Sequence, residues 1–171
     1  MSDWTVRPVE AGDIPAMRAI RDEGFATYSD FAPGWRLPDE YVKQHEQRMR
    51  ERMADPELFC LIAEVGGRPI AHVAFVPART DDEARAEIPG LAELWQLFVT
   101  PDWWGSGVAS DLLDAAVAEA RGRGFERMRL STPRDHLRAR RFYEREGWSW
   151  TGAEQEATRL DLVLVEYAIS I

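Results

Sequence analysis

The chain has 171 residues, of which 45% are hydrophobic and 30% charged, the balance of an ordinary globular protein with enough length for a buried core. Its formal net charge of -9 argues against nucleic acid as the main partner, because phosphate neutralisation needs a basic surface. The one cysteine, Cys60, excludes an internal disulfide, and no apolar run reaches the roughly 20 residues that span a bilayer. The opening MSDWTVRPVE has neither the basic end nor the apolar run of a secretory signal. The expected compartment is therefore the cytoplasm, with no membrane partner.

In chain order, residues 4–9 read as a short first strand. Asp13 reads as the N-cap of a helix whose Ile14, Met17 and Ile20 share one face. Residues 28–37 are irregular and aromatic. Pro38 opens a second helix, with Tyr41, His45, Met49 and Met53 spaced by four. Residues 59–65 and 70–76 form two strands joined at Gly66 and Gly67, a pair that accepts positive φ and suits a hairpin. Residues 79–90 are polar and acidic and read as a loop, and 91–99 as an apolar strand. After PDWWGSGVAS a helix runs to about Gly122, with Ala109, Leu112, Leu113, Ala116 and Ala120 inward. A strand at 128–131, a helix at 135–146 closed by Gly147, and strands at 148–151 and 160–169 follow. No repeat, low-complexity tract or linker divides the chain, so residues 1–171 read as a single domain. The order β-α-α-β-β-β-α-β-α-β-β predicts an α/β (α+β) fold, a mixed sheet with helices on both faces.

The most informative stretch is residues 92–120, AELWQLFVTPDWWGSGVASDLLDAAVAEA. A buried strand runs into a glycine-bearing turn, and the turn runs directly into a helix. Gly105 and Gly107 remove Cβ atoms where backbone N–H groups converge. Those donors lie at the positive end of a helix dipole, which makes an anion site with phosphate as its usual guest. A P-loop would end in Gly-Lys-Ser/Thr, which is absent. A Rossmann turn would place a third glycine where Ser110 stands, and an acid where the next strand ends at Ser131 and Thr132. Two readings remain: the diphosphate of coenzyme A, or a glycine turn that merely starts a helix.

This stretch resembles the acyl-CoA-binding motif of the GNAT superfamily of N-acetyltransferases, Arg/Gln-x-x-Gly-x-Gly/Ala. Gly107 and Ala109 match its last two named positions, and Gly105 fills a glycine often found inside it. Trp104 stands where the family has arginine or glutamine. Downstream, HLRARRFYEREGW is similar to the second signature, Asn-x-x-Ala-x-x-Phe-Tyr-x-x-x-Gly-Phe. Ala139, Phe142, Tyr143 and Gly147 match, with His136 in place of the asparagine and Trp148 in place of the final phenylalanine. With VRPVEAGDIPAM and FCLIAEVGGRPIAHVAFVPA, the resemblance covers nearly the whole chain.

The resemblance implies the GNAT fold, acetyl-CoA as cosubstrate, no metal, and direct attack of a primary amine on the thioester. The acceptor is a small-molecule or peptide amine, and a homodimer is compatible with the family's habits. Along the pantetheine arm it implies the backbone of Leu97, Phe98 and Val99. On the diphosphate it implies the turn of Trp104, Gly105, Ser106, Gly107, Val108, Ala109 and Ser110. His136 takes the place of an asparagine that in relatives often touches the CoA chain.

It also implies two proton transfers. Glu93, in the pattern Glu-x-x-x-apolar-x-Val, stands where some relatives carry the base that deprotonates the amine, usually through water. The other reading is a charge at the start of a strand, and Glu64 is a less favoured base. Tyr143 stands where the family protonates the departing thiolate; its other reading is an amphipathic core residue beside Phe142. In relatives the acceptor lies against the loop between the first two helices. Here that loop carries Tyr28, Asp30, Phe31 and Trp35, an aromatic and acidic wall that suits an amine of apolar character. His45, His72 and His136 lack partners at metal-ligand spacing. A catalytically idle acyl-CoA-binding sensor or scaffold remains the alternative; it would keep the turn without needing Glu93 or Tyr143.

Overall fold

Gly66 and Gly67, with φ of 57° and 77°, turn the chain from strand β2 (Phe59–Val65) into β3 (Arg68–Arg79), the tight turn that two positive-φ residues allow. The computed structural model describes residues 3–171. With β1 (Thr5–Pro8), β4 (Glu87–Val99), β5 (Arg127–Pro133), β6 (Ser149–Ala157) and β7 (Leu162–Ser170), these strands form one sheet in the order β1-β2-β3-β4-β5-β7-β6. The helices are α1 (Ile14–Ala26), α2 (Asp39–Met53), α3 (Val108–Gly122) and α4 (Leu137–Arg145). Every strand pair is antiparallel except β4–β5, whose parallel crossover is supplied by α3.

That parallel pair is brief. Leu91, Ala92 and Glu93 pair with Arg127, Met128 and Arg129, and the ladder stops there. Yet β4 continues to Val99, still paired with β3 as far as Ala71. Ala74 faces Gln96 while Phe75 faces Leu94, so Trp95 is the extra residue of a bulge in β4. A bulge bends and twists its strand, and this one falls where β5 is lost. Residues 94–99 therefore keep a strand neighbour along one edge only.

The helices pack on both faces. Leu112, Leu113, Ala116 and Ala120 of α3 are at most 1% exposed. The two alanines let the helix lie close to the sheet. Its core is continuous with Tyr143, Trp148 and Tyr167. On the other face Ile14, Met17 and Met49 close over Ile62. Beside them His72 Nε2 lies 3.0 Å from Gln96 Oε1, which fixes that glutamine on β4.

Three local expectations are corrected. Asp13 stands at the N-cap position of α1, but its side chain makes no capping bond there: its carboxylate accepts from Arg7 at 2.7 and 2.8 Å and from the Glu10 N–H at 2.8 Å. Residues 79–90 are not all loop. Arg79 faces Glu87 across the ladder with a 3.0 Å ion pair, so only residues 80–86 turn. β6 runs past residue 151 to Ala157. It is a sheet edge exposed along nearly its whole length, so it lacks the apolar alternation that marks a half-buried strand. Among the described residues, no helix is long and apolar enough to cross a membrane.

Candidate functional site

Where β4 and β5 part, a cleft of about 440 Å³ opens between them. Leu97, Phe98 and Val99 line one wall, and Ser131 and Thr132 of β5 line the other. The β4 wall presents backbone groups that no neighbouring strand takes up, with Val99 O alone engaged by the Trp104 indole N–H at 2.9 Å, an edge able to pair with an extended guest.

One end of the cleft is the glycine turn. Gly105 has φ 76° and Gly107 has φ 100°, values that a residue with Cβ adopts only under strain. A Cβ at Gly105 would meet nothing within 4 Å, so backbone conformation, not room, demands glycine there. Gly107 is the N-cap of α3, and the amides that follow it find no acceptor one turn earlier in the helix. Ser106 Oγ braces the turn, donating to Trp103 O at 2.8 Å and accepting from the Val108 N–H at 3.3 Å.

Of the residues assigned to this turn from the sequence, Trp104, Gly105, Gly107, Ala109 and Ser110 line the cleft. Ser106 and Val108 do not: Ser106 is spent on the turn and Val108 is fully buried in the core. Ser110 Oγ donates to Glu146 Oε1 at 2.9 Å, which ties α3 to the residue closing α4.

Helix α4 and its cap bring two of the assigned residues to the cleft. His136 caps it, with Nδ1 accepting from the Ala139 N–H at 3.1 Å. A backbone amide can only donate, so Nδ1 carries no proton and the neutral ring holds its proton on Nε2. Burial, with a smaller push from the Arg138 charge, lowers the pKa of His136 and favours that neutral form. Tyr143, about two turns on, lines the cleft and is 9% exposed. Burial raises its pKa, keeping the phenol protonated. Tyr167 holds the helix in place, donating to Glu144 at 2.7 Å and accepting from Arg140 Nε at 3.0 Å. Gly147, at φ 87°, ends it, with the Trp148 N–H bonded to Tyr143 O at 2.9 Å.

The acceptor-side assignments separate. Tyr28 lines the cleft; burial first, then the nearby Tyr143, raises its pKa. Phe31 stands behind, packed on Tyr28 and on His136 with centroids 4.9 and 4.8 Å away. Trp35 is also set back: its indole N–H donates to Leu160 O at 2.7 Å, fastening the α1–α2 loop to the β6–β7 turn.

Glu93 is not brought to the cleft lining. It sits at the last paired rung of β4 and β5, where Arg129 Nη2 and Nε donate to its Oε2 at 3.0 and 3.3 Å. The alternating register puts it on the same face of the sheet as Gln96, which lines the cleft. Glu64 lies farther off, on β2 at the sheet's other side, bonded to Arg7 at 2.6 Å. Burial pushes the Cys60 thiol up to about 12, which leaves it un-ionised at neutral pH. Among the described residues no group of three or more His, Cys, Asp or Glu is placed to hold a metal ion.

Sequence reasoning missed Gly24, Gln96 and Arg138, all of which line the cleft. Gly24 does so because a Cβ there would come within 2.9 Å of the Phe98 ring. Gly24→Ala is therefore expected to push Phe98 into the cleft and narrow it, which a crystal structure of the variant checks; an unmoved Phe98 ring would show that α1 gives way instead.

The model of the acetyltransferase (GNAT) family matches residues 20–148. The chain belongs to the GNAT acetyltransferase family. An uncharacterized N-acetyltransferase from Methanocaldococcus jannaschii is 26% identical over 145 residues, covering 85% of this GNAT chain and 60% of the relative. One from Mycobacterium tuberculosis is 30% identical over 105 residues, covering 61% and 62%. The match thus spans about 60% of the length of these curated relatives.

Solved structures share the GNAT fold. The ribosomal-protein-S18-alanine N-acetyltransferase from Escherichia coli superposes with a TM-score of 0.69 at 18% identity, covering 98% of this chain and 94% of that one. An N-acetyltransferase from Thermoplasma acidophilum, solved in complex with coenzyme A, gives 0.69 at 17%, covering 97% and 98%. A family member from Desulfovibrio desulfuricans gives 0.73 at 21%, covering 98% of each chain.

Proposed function

We propose that this protein transfers an acetyl group from acetyl-CoA to a primary amine by direct attack. One observation carries the reading. A cleft with a free strand edge along one wall has an amide cradle at one end and a protonated phenol in its lining.

These features fit the cosubstrate part by part. The backbone of Leu97, Phe98 and Val99 would pair with the amides of a pantetheine arm. The amides of Gly105, Gly107, Ala109 and Ser110 would hold a diphosphate. The His136 Nε2–H gives the arm a donor where relatives place an asparagine. When bound, acetyl-CoA supplies the activated thioester carbonyl.

The chain's own residues then move protons. An alkylamine with a pKa of about 10 arrives mostly protonated at neutral pH and must lose a proton before it attacks. Glu93 takes that proton through water, since its carboxylate shares a sheet face with the cleft but stops short of it. Tyr143 delivers its phenolic proton to the thiolate. A free backbone N–H near Leu97 to Val99 receives the charge that builds on the carbonyl oxygen. Tyr28 shapes the acceptor side, with Phe31 and Trp35 supporting it from behind.

Release of CoA thiol against a panel of amines tests this reading. Peptide α-amines come first, because the Escherichia coli neighbour is named for an alanine acceptor on a ribosomal protein. Turnover with at least one amine is expected. Tight CoA binding with no turnover on any amine would instead identify an idle acyl-CoA-binding module.

A further inference from the structure

Trp104 occupies the turn position at which this family's motif has a cationic or amide side chain, so the diphosphate cradle lacks that charge from its own strand-to-helix turn. The indole is not loose. Its N–H donates to Val99 O at 2.9 Å, which holds the ring against the end of β4. Over that ring lies a guanidinium: Arg138 Cζ is 3.0 Å from the ring centroid. Arg138 comes from the first turn of α4, on the far side of the cleft, and it lines the same cleft as Trp104, Gly105 and Gly107.

Two neighbouring arginines of α4 are occupied, and the third, Arg141, does not line the cleft. Arg140 donates to Tyr167 and to Arg134 O, and Arg145 pairs with Glu146 at 3.6 Å. Among the described residues no hydrogen bond or ion pair to the chain engages Arg138, though the charge of Asp30 bears on it. A guanidinium that stacks through its face keeps its edge N–H donors for an acceptor in its plane, and paired phosphate oxygens suit that fork.

Building on the proposed function, we propose that Arg138, carried across the cleft on α4 and held flat on Trp104, supplies the side-chain cation that grips the diphosphate of coenzyme A. The tryptophan is then a platform that replaces the missing charge by positioning another. The two walls of the cleft are joined through the ligand, because the amides belong to α3 and the cation to α4.

Calorimetric titrations with CoA and 3′-dephospho-CoA, beside kinetics with acetyl-pantetheine, test this. Arg138→Gln is expected to weaken both nucleotides at least about tenfold, the scale of a charge-assisted hydrogen bond. It should leave the KM for acetyl-pantetheine, which has no diphosphate, unchanged. Trp104→Ala should weaken CoA and add little on top of Arg138→Gln, whereas Trp104→Phe keeps the platform and most of the affinity. Unchanged CoA affinity in Arg138→Gln overturns the assignment. So does an equal loss with acetyl-pantetheine, which would mean that Arg138 only shapes the cleft. So does a loss with CoA but not with 3′-dephospho-CoA, which would place Arg138 on the 3′-phosphate. Additive losses at Trp104 and Arg138 would overturn the platform. If the unaltered protein takes up no CoA, the proposed function itself falls, a result distinct from all of these.

Discussion

Tyr143→Phe is expected to lower kcat by about a hundredfold or more, the usual worth of a positioned acid, while the affinity for CoA stays within about twofold. The reason lies in the site. The phenol lines the cleft and burial keeps it protonated, so it holds a proton where the thiolate would leave. Its ring packs beside Phe142, Trp148 and Tyr167, with centroids 5.2, 6.1 and 6.3 Å away. Phenylalanine keeps that packing and removes the oxygen alone. Thiol-release kinetics give kcat, and calorimetry gives the CoA dissociation constant. Equal turnover in the two proteins would make Tyr143 a packing residue, and a large loss of CoA affinity would make the phenol a binding group.

Glu93→Gln should cost about a hundredfold in kcat/KM for a lysine-type amine, and distinctly less for a peptide α-amine. At pH 7.5 an α-amine with pKa near 8 is about one quarter neutral, whereas a lysine-type amine is neutral at about one part in a thousand. A base acting through water therefore matters most to the second. Glutamine keeps the side chain's shape and an oxygen for Arg129, so the rung that joins β4 to β5 survives. Parallel assays with two peptides, one with only its α-amine free and one with only a lysine amine free, read out the contrast. An equal loss on both amines would point to a structural role at that rung. No loss on either would reduce Glu93 to a charge at the rung where the strands separate.

Much of the architecture was legible because it is written in short-range periodicity. The apolar spacing of α3, the glycine pair between β2 and β3 and the closing Gly147 each act over a few residues. The glycine turn into α3 was legible for the same reason, since Gly105 and Gly107 sit next to a helix start. The cleft was not. It exists because β5 leaves β4 after Glu93, and a strand's own sequence does not say where a neighbour departs. Arg138 was missed because its place comes from a contact between α4 and the turn, 34 positions away in sequence (138 minus 104). Ser106 and Val108 were grouped with the cradle by adjacency, but the turn points one into its own backbone and the other into the core. Asp13 looked like a cap until Arg7, on a neighbouring strand, claimed its carboxylate.

Amide chemical shifts in ¹⁵N-labelled protein, followed during titration with CoA and separately with pantetheine, examine the cradle most directly. Saturable CoA-induced shifts are expected at the N–H groups of Gly105, Gly107, Ala109 and Ser110, with pantetheine leaving these four nearly still while moving Leu97 to Val99. If CoA left those amides unmoved at saturation, or perturbed only a surface away from the gap between β4 and β5, the acyl-CoA reading of this cleft would be contradicted.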